Sequence, residues 1–166
     1  MTKALLVTAV VFVGGLESLA LAGQSETPPA VFTEAQAAAG RASYESVCVN
    51  CHTYALTGRK GDPGELPPIS SLAETFQKGI QVANGRISPL GGDVFMKRWA
   101  SKTTYELVNR IQVAIGGFPP TDLNDKTRLN LAAYFLKVSG APSGSQELTG
   151  DAETAVRIGT LQSISK

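Results

Sequence analysis

The chemistry of this 166-residue chain gathers in five consecutive positions, Cys48-Val49-Asn50-Cys51-His52, which hold both cysteines and the only histidine of the sequence. Two thiols one helical turn apart can reach the two vinyl groups on one edge of a porphyrin. The histidine directly behind them then falls beneath the iron, so C-x-x-C-H reads as the attachment site of a single covalent haem c. In this reading Cys48 and Cys51 form the thioethers and His52 is the proximal iron ligand. Three competing chemistries are weaker. A structural zinc site wants four ligands, and no second Cys/His pair completes one. A thioredoxin-like redox pair expects a strand–helix alternation that the chain lacks. A plain Cys48–Cys51 disulfide leaves the lone histidine unexplained.

The elements that must position these residues are helical. Thr33-Glu34-Ala35-Gln36 has the form of a capping box, and behind it Ala37, Gly40 or Arg41, Tyr44 and Val47 recur at helical spacing and lead into the cysteines. Residues 53–93 are rich in Gly, Pro and Ser and hold at most one short helix, around 73–83. A loop region that long wraps something or serves function. Thr103-x-x-Glu106 opens a second clear helix with Leu107, Ile111 and Ile115 on one face and Gly116-Gly117 as its stop. A third runs from an Asn124 N-cap to Ser139, with Leu131, Tyr134, Phe135 and Val138 as its apolar face and Gly140 just past its end. Three modest helices and long loops bury little surface against the entropy of ordering them, so the chain needs an extra core element. No repeat, strand or hairpin signal is evident.

Residues 1–22 read as an export signal: Lys3 before an apolar run to Leu16, then small residues to a cleavage site near Ala22. The run is too short for a spanning helix and Glu17 interrupts it, so the mature chain is expected in the periplasm without a membrane span. Residues 23–32 form an N-terminal extension of the mature chain, polar and Pro-rich over 24–29, with 33–140 the domain and 141–166 a Ser/Gly-rich, then mildly amphipathic tail laid over it. With 43% hydrophobic and 17% charged residues the chain is globular, and a formal net charge of +1 leaves no electrostatic footprint for nucleic acid. Gly58-x-x-Gly61 reads as loop glycines. The basic pairs Arg59-Lys60 and Lys97-Arg98 read as solvated surface, with steering of an acidic redox partner as the functional alternative.

From residue 32 to 140 the sequence resembles the class I c-type cytochromes, in particular small periplasmic ones associated with quinoprotein dehydrogenases. The resemblance rests on Gly40-x3-Tyr44-x3-Cys48-x2-Cys51-His52, Leu66-Pro67-Pro68-Ile69, Phe95-x3-Trp99, Leu107-x3-Ile111 and the run from Leu131 to Leu136. It implies an all-α class I cytochrome c fold, three to five helices with long loops wrapped around one covalent haem. It also implies a first and last helix crossing at Gly40 and Tyr134, and a carbonyl of Pro67 or Pro68 accepting the free N–H of His52. Trp99 becomes either a propionate partner or a core tryptophan. The family methionine that meets the distal face of the iron is missing, and Phe118-Pro119-Pro120 stands in its place. The sixth ligand is then Met96, another residue, or none, with Met96 as a core methionine the plainer alternative. The resulting function is single-electron transfer between a dehydrogenase, a quinoprotein by resemblance, and a downstream acceptor, without catalysis of its own. The alternatives are a haem-based small-ligand binding or sensing module with an open distal site, and an electron-transfer subunit of a larger oxidoreductase.

Overall fold

The Thr33 hydroxyl accepts the backbone N–H of Gln36, and the Gln36 side chain accepts the N–H of Thr33, so the capping box satisfies donors a helix start leaves free. In the computed structural model, which describes residues 27–114 and 123–162, this box opens α1, Glu34–Ser43. The helical path widens into a π-type turn over Tyr44–Cys48 and closes as α2, Val49–His52. Such turns cluster at functional sites because they re-aim side chains by a fraction of a turn. Thr53, at φ +67, ends the helix directly after His52.

The remaining helices are α3, Glu74–Val82, α4, Gly92–Trp99, α5, Thr104–Ala114, and α6, Asp125–Val138. Among the described residues there is no strand, only two isolated bridges, so the expected all-α fold holds. The short helix expected around 73–83 is α3. The caps of the two later helices are also as the sequence suggests. Thr103 and Glu106 form a second box, Asn124 caps α6 through the Thr127 N–H, and Gly140 follows it at φ +88. The residue pattern predicts no helix at α4, which begins where the long Gly/Pro/Ser-rich stretch ends. The leader 1–22 with its cleavage near Ala22, Ile115, the Gly116-Gly117 stop and the Phe118-Pro119-Pro120 step lie outside the described residues.

α1 crosses α6 at the expected pair. A Cβ on Gly40 would stand 1.9 Å from the Asn130 carbonyl oxygen and 2.9 Å from Tyr134 Cβ, so only glycine permits this approach. Of the alternatives Gly40 and Arg41, the buried one is Gly40. From the crossing an aromatic chain runs inward: Tyr44 packs on Tyr134 and Phe135, Phe135 on Phe95, and Phe95 on Trp99, with centroids 5.5–6.1 Å apart. α6 is buried continuously from Asn130 to Leu136 rather than along one stripe, because neighbours cover it on several sides. Val138, expected on its apolar face, is instead 38% exposed; it is the last residue of the helix.

Residues beyond Gly140 pack back onto the helices. The Gln36 amide donates to the Leu148 carbonyl and accepts its N–H, both bonds buried. Thr104 and Val156 pair, and the Ile158 N–H donates to the Lys102 carbonyl. Leu148, Ile158 and Leu161 are buried. Their apolar surface supplements the modest core of the helices, at roughly 25 cal/mol per Å² removed from water.

Candidate functional site

Cys48, Cys51 and His52 come to the wall of one cavity of ≈ 340 Å³. Its other walls are apolar: Leu90, Trp99, Ile111, Leu131 and Phe135. Arg98 and Arg110 also line it, and both are exposed. The aromatic chain that starts at the α1–α6 crossing therefore ends in this wall, at Trp99. Helix packing thus reaches the cavity directly.

The two cysteines are free thiols. Burial pushes the Cys48 thiol up to about 11. It also raises that of Cys51, against the pull of the Arg59 charge. Both sulfurs are accordingly protonated near neutral pH, which is wrong for thiolate catalysis. No cluster of three or more Cys, His, Asp or Glu able to hold a metal ion exists among the described residues, which removes the zinc alternative there.

His52 is held by its Nδ1, 2.8 Å from the Ser88 carbonyl oxygen. With Nδ1–H donated to that carbonyl, Nε2 is the free lone pair. Burial lowers the imidazole's pKa, Arg59 adds to the effect, and the Ser88 contact opposes both. The neutral ring with a fixed tautomer is the form that ligates metal. The acceptor is not Pro67 or Pro68, as the resemblance implied. Both of those carbonyls have other donors: the Arg59 Nη2 on Pro67, and the N–H and hydroxyl of Ser71 on Pro68.

The Ser88 carbonyl is brought to His52 by a small backbone lattice. The Gly58 N–H donates to the His52 carbonyl, and Arg59 and Ile87 exchange both backbone hydrogen bonds at 2.9 Å. Gly58 sits at φ +70, and a Cβ there would lie 2.0 Å from the Ile87 oxygen and 2.8 Å from the Ser88 oxygen. It is therefore required by a close approach beside the histidine, not the loop glycine the sequence suggested. Arg59 departs further still. Read as surface, it is 2% exposed, and its Nη2 donates to the Asn50 carbonyl inside the motif and to that of Pro67. Its interior partners are backbone carbonyls, which leave no mark in a residue pattern. Lys97 is exposed as expected, whereas Arg98 beside it lines the cavity.

Met96 is 2% exposed in the core cluster, and among the described residues it is not part of the cavity wall. The plainer of its two readings, a core methionine, fits this position. Phe118 lies outside the described residues.

This donor set fits a haem. Two thiols and a neutral imidazole with a free Nε2 line a largely apolar cavity, and two arginines that line it as well could pair with porphyrin carboxylates. Comparison with known proteins agrees. The profile of the family described as cytochrome C oxidase, cbb3-type, subunit III, matches residues 35–135, more than half of the chain. No curated protein and no solved structure matches.

Proposed function

The chain belongs to this family of cytochrome c domains, which carry covalent haem c and transfer electrons, and from that premise we propose that it is a monohaem electron carrier built on Cys48, Cys51 and His52. Cys48 and Cys51 hold the haem through thioethers, and His52 binds the iron through Nε2. The observation that carries this assignment is the His52 Nδ1–Ser88 contact, which orients the ring and fixes its tautomer. The haem supplies the reversible one-electron couple. Arg98 and Arg110 hold its propionates as cations lining the same cavity, with the Trp99 indole beside them. The apolar wall of Leu90, Ile111, Leu131 and Phe135 keeps water from the ring and weakens dielectric screening.

The chain acts without catalysis of its own, after export to the periplasm and cleavage near Ala22. The leader sequence supports that location. No helix among the described residues is long and apolar enough to cross a membrane. Its donor is a dehydrogenase, a quinoprotein by the resemblance of the motif set above, and its acceptor is a downstream redox protein.

Met96 is buried in the core and, among the described residues, is not in the cavity wall, which favours a second reading in which the sixth iron position is open to small ligands. Optical spectra of the haem-loaded protein, oxidised and reduced, with and without CO, separate the two. A low-spin spectrum indifferent to CO supports a closed electron carrier. A high-spin spectrum that shifts with CO supports the open site. A protein that carries no covalent haem overturns both.

A further inference from the structure

Arg59 is the one cation among the described residues whose side chain is both buried and tied to the motif. It joins three pieces of backbone. Its main chain pairs with Ile87, next to the Ser88 carbonyl that holds His52. Its Nη2 grips the Asn50 carbonyl, between the two cysteines, at 3.0 Å and the Pro67 carbonyl at 2.6 Å. Its Nη1 stands 3.6 Å from Glu65 Oε2, with side-chain exposures of 1% and 13% for the two partners. Glu65 is held on the far side, its Oε1 accepting the N–H groups of Lys60 and Gly61. The Arg59 Nε has no partner. The pair is thus a dipole with its positive end against the motif and its negative end toward the 60–65 turn.

A charge buried in this way is weakly screened by solvent and salt. An arginine is never neutral, so the field is permanent. Iron that gains one electron loses one unit of positive charge, and a nearby fixed cation favours that state. We propose that Arg59 is a positioning residue that clamps the proximal side and biases the iron toward the ferrous form, with Glu65 as the counter-charge that limits the bias. The proposal rests on the haem assignment of the preceding subsection.

The two charges give the test its sign. A merely structural role makes loss of Arg59 and loss of the Glu65 charge alike in effect, because either loosens the same turn. An electrostatic role makes them opposite. The experiment is a redox titration of the haem-loaded full chain, with one electron from a mediator converting ferric to ferrous iron, followed optically for the wild type, Arg59→Lys, Arg59→Gln and Glu65→Gln. At a fixed solution potential, Arg59→Gln lowers the ferrous-to-ferric ratio about three- to tenfold, or about 30–60 mV for a one-electron couple. Arg59→Lys keeps the charge and stays within about twofold of the wild type, and Glu65→Gln raises the ratio about two- to threefold.

Shifts in the same direction for Arg59→Gln and Glu65→Gln, or no shift in Glu65→Gln, overturn the proposal. If Arg59→Gln fails to load haem, the other two variants decide it: a Glu65→Gln ratio that does not rise, or an Arg59→Lys ratio more than about twofold from the wild type, overturns the proposal. A wild-type chain without covalent haem overturns the underlying assignment instead, so the two failures are told apart before any variant is measured.

Discussion

Two regions hold the proximal side of the candidate site, and they do so by opposite means. At the α1–α6 crossing the backbones satisfy their own hydrogen bonds, and position is set by steric exclusion around Gly40, Asn130 and Tyr134. Between Thr53 and Gly91 the backbone outside α3 is largely irregular, and its carbonyls need donors from elsewhere. Gly58, the Arg59–Ile87 bridge and the buried guanidinium supply them. Close packing fixes helices against each other. A buried fork of N–H donors does the same for irregular chain, because a buried carbonyl left without a donor is costly.

The largest expected effect breaks the steric half of this comparison. Gly40→Ala drives a methyl against the Asn130 carbonyl, and urea unfolding should show a loss of about 3 kcal/mol as the helices separate. Undiminished stability would mean the crossing is looser than the geometry implies. Gly58→Ala is the matching change in the loop. It forces alanine to φ +70 against the Ile87 and Ser88 oxygens, a cost of about 2 kcal/mol. It should differ in kind, because it moves the Ser88 carbonyl. The His52 Nδ1–H signal should shift in the NMR spectrum of Gly58→Ala and stay in place in Gly40→Ala.

Acid sharpens the contrast further. Burial alone would raise the Glu65 pKa, but backbone N–H groups of its own turn and the Arg59 charge outweigh it and hold the carboxyl below its ordinary value. A carboxylate depressed on folding stabilises the fold above the unfolded-state pKa, about 4.3 for glutamate. That contribution is lost as pH falls through the lower folded value. Amides of Lys60 and Gly61, which donate to Glu65, should therefore lose hydrogen-exchange protection on acidification before those beside Gly40 and Tyr134, where close packing holds the helices and the α1–α6 ion pair Glu34–Lys137 is solvent-exposed. Equal loss in both regions would contradict the distinction. The smallest effect is expected at the exposed i,i+4 pair between Arg41 on α1 and Glu45 in the π-type turn that follows it. Arg41→Ala should leave the urea midpoint where the wild type has it, since both partners are solvent-screened; a lowered midpoint would mean that surface charge contributes to the crossing.

The same contrast explains what was legible in the sequence. Caps, the Gly40–Tyr134 crossing and the five-residue motif are written in residue type and spacing, and they appear where the pattern puts them. The proximal loop is written in backbone carbonyls, which every residue carries, so Ser88 as the partner of His52 leaves no trace in the pattern, and the resemblance points instead to Pro67 or Pro68, whose carbonyls have other donors. Arg59 sits beside an exposed Lys60 and looks like half of a surface pair until the carbonyls around it are seen. α4 buries Phe95 and Met96 and partly covers Trp99, a short pattern after two glycines, interrupted by a basic pair, that reads poorly as a helix. Its burial comes from α6 and the C-terminal residues packed beside it.

The most direct test of the central claim is the intact mass of the chain purified from the periplasm of a host able to attach haem c, compared with Cys48→Ala/Cys51→Ala. The account predicts that the wild type exceeds its polypeptide mass by one haem, under denaturing conditions that strip any non-covalent group, and that the double variant does not. A wild type at the bare polypeptide mass, or a double variant that still carries the added mass, would contradict it.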